Sequence, residues 1–365
     1  MSEPTLTVDG VRITADGECY VIAEIGHNHQ GDVEKAKQLI HAAKECGANA
    51  VKLQKRSNRT LYTRAYYEQP YDNEFSFGPT YGAHREALEL SADEYRELQA
   101  YAREQEISFF ATAWDFESAE LLAELDVPAF KIASGDLLNT PLQRYVAGFG
   151  KPIFLSTGGG TLADVDRAVE TITAVNDRLC ILQCTAAYPA ATEDLNLRVI
   201  TTMRERFPDF VIGLSDHQSG ISMALVAYML GARVVEKHFT LDHALKGTDH
   251  AFSLMPDGMR RLVRDLRRVE PALGDGVKRR LPVEEKPLEK MGKKLVAARP
   301  LQSGHLLAAD DLAIKSPADG GLPPYELDRV IGLRLRRPLQ LDESLALVDL
   351  ESVEEVTAAH ATVAQ

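Results

Sequence analysis

Short apolar runs alternate along this chain with longer amphipathic stretches. Eight of the runs (CYVIAEIG, NAVKLQ, SFFATA, AFKIAS, KPIFLS, LCILQC, FVIGLS and RVVEKHF) are rich in β-branched and aromatic residues and too short for helices, so they read as strands. They look continuously buried rather than alternating, the pattern of parallel strands covered by helices on both faces. Between them the spacing turns helical. Val33, Ala36, Leu39, Ile40 and Ala43 share one face, with Asp32 placed as the N-cap. Thr161 and Asp164 make a capping-box-like start to a helix running to Val175. Strand–helix alternation with eight strands predicts an α/β fold closed as a (β/α)8 TIM barrel rather than an open sheet.

One connection breaks the rhythm. From Gln54 at the end of strand two to Thr112 at the end of strand three the chain runs 58 residues, and the excess is the Tyr-, Asn-, Gly- and Glu-rich segment from Lys55 to about Leu90. It follows a strand, so it belongs to the catalytic face, where a long loop suggests a lid or a substrate-binding element. TLTVDGVRIT at 5–14 reads as a hairpin turning at Asp9-Gly10, placed to cover the barrel bottom. Pro256 to Leu273 is helical and closes a barrel domain of residues 1–273. The polar, Pro-containing stretch 274–294 reads as a linker. Residues 295–350 supply short strands and turns for a small second domain, and 351–365 reads as a frayed tail or loose helix.

Composition narrows the class. The chain has 365 residues, 45% apolar and 26% charged, as soluble enzymes do. No apolar run approaches the 18 or so residues of a membrane span, and MSEPTLTVDG does not read as a signal peptide. A net charge of −13 argues against nucleic acid as a partner, while leaving room for a local basic pocket. Cys19, Cys46, Cys180 and Cys184 fit neither a zinc knuckle nor a redox motif, and read as reduced, mostly buried thiols of a cytoplasmic protein.

Polar residues stand at the C-terminal end of nearly every expected strand, where barrel enzymes keep their chemistry. Lys52 and Lys131 are the clearest charges inside apolar strands, and a buried ammonium needs an anion. With Thr112, Ser134, Ser156 and Ser215 around them, they suit a ligand carrying carboxylate and phosphate. They could instead pair with barrel carboxylates such as Glu24 or Glu236. The STGGG run at 156–160 leads into a helix and could add backbone N–H groups to the anion cradle. His217 and His238 end neighbouring strands, and two imidazoles with oxygen donors and waters suit a divalent ion such as Mn²⁺. His27 and His29 read as positioning or core residues.

The motifs AEIGHNHQGD, VKLQ, KIASGD, STGGG, CTAAYP, GLSDH, EKHFTLD and KGTDHAFSL occur in this order. Together the chain resembles the sialic acid (nonulosonic acid) synthases. From Leu295 onward, LVAARPLQSGHLLAADDLAIKSP and YELDRVIG resemble that family's antifreeze-like (SAF) domain. The resemblance implies condensation of phosphoenolpyruvate with an N-acylated amino sugar, N-acetylmannosamine or a relative, to a nine-carbon 2-keto acid and phosphate. It implies Mn²⁺ or Mg²⁺ on His217 and His238, and phosphoenolpyruvate on Lys52, Thr112, Lys131, Ser134, Ser156 and Ser215. Glu24 and Asp136 become the proton-transfer or water-orienting carboxylates, and Tyr188 and Asp249 the sugar contacts. It also implies a domain-swapped homodimer. Four positions depart from the pattern: Asp136 and Met255 stand where relatives carry glutamate, Ala186 where some carry asparagine, and Ser316 where an arginine from the neighbouring subunit meets the N-acyl group. Two other readings compete: a Schiff-base aldolase or lyase using Lys131, and a non-catalytic sugar-binding paralogue.

Overall fold

The structure, a computed structural model, describes residues 3–351. The expected tail beyond Glu351 lies outside the described residues. Two compact units divide between Gly274 and Asp275.

In the first unit the hairpin strands β1 (Thr5–Val8) and β2 (Val11–Thr14) pair antiparallel, with Val8 opposite Val11. Asp9 and Gly10 both take positive φ (49° and 79°), the conformation a two-residue hairpin turn demands. Leu6, Val8 and Ile13 are buried in the main core. Asp9 accepts a hydrogen bond from Ser108 at the start of a barrel strand, so the hairpin covers the N-terminal end of the barrel.

The barrel strands are β3 (Tyr20–Gly26), β4 (Ala50–Lys55), β5 (Ser108–Ala113), β6 (Phe130–Ile132), β7 (Ile153–Ser156), β8 (Leu179–Cys184), β9 (Val211–Asp216) and β10 (Val234–His238). All pair in parallel with their sequence neighbours, and β10 returns to β3 to close the barrel. These are the eight apolar runs of the sequence, and nearly every residue in them is buried. Inside the barrel Phe154 stacks between Phe110 and Tyr20, with ring centroids 5.4 and 6.3 Å away; each such ring contributes roughly 1.5–3 kcal/mol through burial. Around the strands, Val33–Glu45 is capped by Asp32, which accepts from the Lys35 N–H at 3.1 Å. Leu162–Thr173 opens on the Thr161/Asp164 capping box. The four cysteines are free and buried.

The long connection after β4 is folded rather than loose. Three short helices, Asn58–Leu61, Arg64–Glu68 and Tyr81–Leu88, pack through a cluster of aromatic rings. Tyr81 stands 4.5 Å from Tyr66, 5.1 Å from Tyr62 and 5.4 Å from Tyr71. The segment is seated close on the loop that follows β3. At Gly31 (φ +73°) an added Cβ would fall 2.2 Å from the Ala87 carbonyl oxygen, so only glycine allows this approach.

The second unit is built on the antiparallel pair β11 (Lys294–Ala297) and β12 (Leu312–Lys315) over a small leucine-rich core. Asp311 is its polar hub, buried and bonded to Arg299 (2.6 Å), His305 (2.7 Å) and the Ala308 N–H (2.9 Å). The stretch expected to be a linker contains a helix, Glu285–Met291, whose Glu289 carbonyl accepts from the Ala318 N–H at 2.7 Å. It carries a proline, Pro287, in its first turn and has little apolar periodicity, so the pattern did not announce it. Among the described residues no helix is long and apolar enough to cross a membrane.

Candidate active site

The C-terminal mouth of the barrel holds an inner cavity of about 110 Å³. The side chains there alternate in charge. Lys52 on β4 meets Glu24 on β3 at 2.7 Å and donates to Thr112 on β5 at 2.8 Å. Lys131 on β6 donates to both oxygens of Glu236 on β10, at 2.7 and 2.9 Å. Ser215 on β9 bonds Glu236 at 3.1 Å, and Lys52 lies 3.8 Å from it. The lysines therefore pair with the two barrel carboxylates, the alternative left open by the sequence. The β3–β4 pairing shifts register between Glu24 and Gly26, and Gln54 donates to the Glu24 carboxylate at 2.6 Å.

Burial raises the Glu24 carboxyl, and the neighbouring Glu236 charge adds to the rise, against the pull of Lys52. Burial also works on Glu236, but Lys131 and Lys52 outweigh it and hold that carboxyl down at about 2. Burial lowers Lys131, with Glu236 opposing. One hydroxyl is left over: Ser156 Oγ, at the end of β7, is buried with no hydrogen-bond partner. The cavity thus holds two ammonium groups, each already paired with a carboxylate, and one spare donor for a ligand.

His217 and His238 stand at the rim with ring centroids 5.3 Å apart. His217 Nδ1 is 2.9 Å from the Thr185 carbonyl, so that nitrogen carries the proton and Nε2 keeps its lone pair. Burial, then the neighbouring His238, lowers His217 to about 4, and burial lowers His238 as well. Both rings are neutral at physiological pH. His238 Nδ1 is buried without a hydrogen-bond partner, 3.6 Å from Asp249. Two neutral imidazoles, one with an orphaned nitrogen and the other fixed in orientation by a carbonyl, fit a divalent ion as donors. Among the described residues no three His, Cys, Asp or Glu side chains form a complete metal site. The fit therefore needs oxygen ligands from substrate and water.

An outer cavity of about 450 Å³ adjoins the inner one and shares Gln54, Trp114, Tyr188 and His238 with it. Its wall is built by the β4–β5 connection (Arg56, Phe77, His84, Arg85) and by the loop after β10 (Lys246 to Asp249).

Glu24, Lys52, Thr112, Lys131, Ser134, Ser156, Ser215, His217 and His238 all line the inner cavity. Tyr188 lines both cavities and Asp249 the outer one. Asp136 lines neither; it sits in the turn after β6, where one carboxylate oxygen accepts from Asn139 and the other is buried without a partner. In the STGGG run two glycine N–H groups are already engaged and are not free for an anion cradle. The Gly158 N–H is taken by Ser134 Oγ at 3.0 Å and the Gly160 N–H by the Thr157 carbonyl at 3.3 Å. Gly158 is needed for close approach instead, since a Cβ there would stand 2.8 Å from Ser134 Oγ. Of the departures, Ala186 lines the inner cavity, Met255 is an exposed residue outside both, and Ser316 accepts a hydrogen bond from Lys293 within the second unit. His29 is buried, whereas His27 is part of the outer cavity wall. Sequence reasoning missed Arg56, His84, Arg85, Trp114 and Lys246. For Arg56 and Trp114 there was a signal, since each follows directly on a barrel strand.

The profile of the NeuB family matches residues 39–278, and that of the SAF domain residues 294–351. The chain is 42% identical over 327 residues to human N-acetylneuraminate-9-phosphate synthase, covering 90% of this chain and 91% of the relative. It is 34% identical over 340 residues to N,N'-diacetyllegionaminic acid synthase of Legionella pneumophila, covering 92% and 95%. Among solved structures, the N-acetylneuraminic acid synthetase of Leptospira borgpetersenii in complex with citrate superposes with a TM-score of 0.68 at 30% identity, over 79% of this chain and 96% of that one. A Bacillus subtilis spore coat polysaccharide biosynthesis protein gives 0.64 at 31%, over 95% and 99%.

Proposed function

Since the chain belongs to the NeuB family of synthases, we propose that it condenses phosphoenolpyruvate with an N-acylated amino sugar, giving a nine-carbon 2-keto sugar acid and inorganic phosphate. The observation that carries this reading is the juxtaposition of two buried lysines and an unpartnered serine hydroxyl with a pair of neutral imidazoles at one barrel mouth. Lys52 and Lys131 would hold the phosphate and carboxylate charges, with Ser156 completing the set. Glu24, whose carboxyl is raised by burial, would give its proton to the aldehyde oxygen of the open-chain sugar as carbon three of phosphoenolpyruvate bonds to the aldehyde carbon. Water adds at carbon two and returns a proton to Glu24, and the tetrahedral centre collapses to the ketone as its carbon–oxygen bond to phosphate breaks and the hydroxyl proton leaves with the phosphate. Asp136 is the candidate for orienting that water, through a bridging water because it does not line the cavity. A divalent ion, Mn²⁺ or Mg²⁺, held by His217 and His238, would supply Lewis-acid polarisation of the aldehyde. Positioning and charge stabilisation do the rest.

The names of the relatives leave the acceptor open, one specifying a 9-phosphate product and another a diacetyl one. The test is phosphate release from phosphoenolpyruvate and Mn²⁺ across a panel of N-acylated hexosamines. We expect turnover that chelation abolishes and that His217→Ala lacks while keeping its fold; undiminished turnover in that variant sinks the metal assignment. Trapping of a Lys131 adduct by borohydride would favour the Schiff-base reading instead, against which stand the two hydrogen bonds that this ammonium donates to Glu236. A domain-swapped homodimer belongs to the same proposal, and sedimentation at micromolar concentration reads it.

A further inference from the structure

We propose that Lys237 is the positioning residue of the imidazole pair: its ammonium, behind the barrel wall, fixes where His217 and His238 stand relative to each other. The inference rests on the synthase reading and its divalent ion, and deepens it.

Side chains alternate between the two faces of a strand. Glu236 and His238 line the inner cavity, so Lys237 between them faces the other side of the wall. Ser215 and His217 line the cavity as well, so Asp216 also faces outward. Lys237 and Asp216 are register partners across β10 and β9. The ammonium meets the carboxylate at 2.9 Å, and both side chains are 1% exposed.

That pair stands where the ladder ends. β9 pairs with β10 as far as Asp216, and with β8 only as far as Ser215. His217 therefore lies past the last strand pairing on either side, in a stretch that turns at Gly220 with φ +98°. Side-chain bonds take over there. The Lys237 ammonium donates to Asp216 and also to the Gln218 carbonyl, and the Asp216 carboxylate accepts from the Gln218 N–H at 2.9 Å. His217 sits between the two residues that Lys237 holds. From the other side its ring is met by the Thr185 carbonyl, and its own carbonyl accepts from the Ala190 N–H at 3.2 Å. His238 follows Lys237 directly in the chain. One ammonium thus ties together both segments that carry the imidazoles.

Stability does not account for the pair. Burying two charges costs desolvation that their attraction barely repays, and apolar residues of similar volume often serve as well or better. An apolar pair cannot, however, bridge a carboxylate and a carbonyl on either side of one residue. Two rings with centroids 5.3 Å apart must keep that spacing if one ion is to meet a nitrogen of each. Groups behind metal ligands set affinity by holding the ligands in place.

The test measures Mn²⁺ affinity in the full chain from the electron spin resonance of free Mn²⁺, with phosphoenolpyruvate binding to the metal-free protein as the control. The variants are Lys237→Met and the double variant Asp216→Asn/Lys237→Met. The double leaves no unpaired charge behind, and it decides the matter if the single does not fold. We expect Mn²⁺ to bind about 10- to 100-fold more weakly, with phosphoenolpyruvate binding unchanged. The direction separates position from charge. By Coulomb's law alone, removing a cation tightens the binding of Mn²⁺, and the double variant, with no change in net charge, leaves it as it was. Tighter binding in Lys237→Met, or wild-type affinity in the double variant, overturns the proposal. So does an equal loss of phosphoenolpyruvate binding, since the barrel mouth is then damaged as a whole. If the wild type takes up no Mn²⁺, the divalent-ion reading falls, and the positioning is decided in the metal-free protein by nitrogen-15 spectra of the histidine rings. A single Nδ1–H form of His217 in the wild type that the double variant loses supports it, and any other result ends it. None of these outcomes touches wild-type turnover, which alone decides the synthase reading.

Discussion

Replacing Glu236 by leucine should be far more damaging than replacing Glu236 and Lys131 together. In the single variant the Lys131 ammonium, 3% exposed, loses both bonds to its carboxylate, at 2.7 and 2.9 Å. Lys52 loses a charge 3.8 Å away and Ser215 an acceptor at 3.1 Å. Breaking one side of a buried pair costs about 3–5 kcal/mol, because the other charge stays behind uncompensated. The double variant Lys131→Met/Glu236→Leu removes both charges with side chains of similar volume, which is often neutral or stabilising. We therefore expect it within about 1 kcal/mol of wild type and inactive, with a coupling energy above about 2 kcal/mol. The assay is urea unfolding followed by fluorescence. The chain has a single tryptophan, Trp114, just after β5, so the signal reports the barrel unit alone. Additivity of the two single variants within about 0.5 kcal/mol would refute the argument, showing that the two charges are not energetically joined.

Gly31→Ala should cost at least about 1–2 kcal/mol from its left-handed backbone alone, and the clash with the Ala87 carbonyl should loosen the segment 58–88; limited proteolysis should then cut there first. In the second unit, burial works against the Asp311 carboxylate, but bonds from the Ala308 N–H, His305 and Arg299 outweigh it and lower its pKa. Its contribution is full above the unfolded value of about 3.9 and is lost as pH falls through the lower folded value. Asp311→Asn should lower stability at pH 7 by about 1 kcal/mol, given that Arg299 and His305 are part-exposed, and should flatten the acid limb. Amide exchange within 295–350 against pH measures this, and an unchanged acid limb would count against it. Finally, anion binding beside Glu24 should push its already raised carboxyl further up, so phosphoenolpyruvate should bind with proton uptake. Calorimetry in buffers of different ionisation enthalpy reads that uptake, and Glu24→Gln should diminish it; equal uptake in the variant would rule Glu24 out as the acceptor.

The barrel was legible because its strands are buried on both faces and written as uninterrupted apolar runs, with helical periods between them. The inner site was legible for a geometric reason: in a closed barrel the inward-facing residues toward the C-terminal ends of the strands must meet one another, so Lys52, Lys131, Ser156 and His238 converge whatever the loops do. What the chain does beyond the strand ends was not legible. Whether the Gly158 N–H faces a ligand or Ser134 depends on how two neighbouring loops pack. Arg85 reaches the site only because the β4–β5 connection folds back through its tyrosine cluster, a tertiary event with no period in the sequence. The helix Glu285–Met291 carries too little apolar surface to register.

The two cavities are nested, and nesting imposes an order in time. The inner chamber is small and its lysines are 2–3% exposed. The larger chamber lies against it, sharing Tyr188 and His238. The hairpin at the other end, with Leu6, Val8 and Ile13 buried, blocks a second entrance from below. On the proposed chemistry a sugar seated in the outer chamber stands in the path of the small anion. Phosphoenolpyruvate must then enter first, and inorganic phosphate, released deepest, must wait until the nine-carbon product has gone. The barrel would behave as a stack, last in and first out, and product-inhibition patterns should carry that signature.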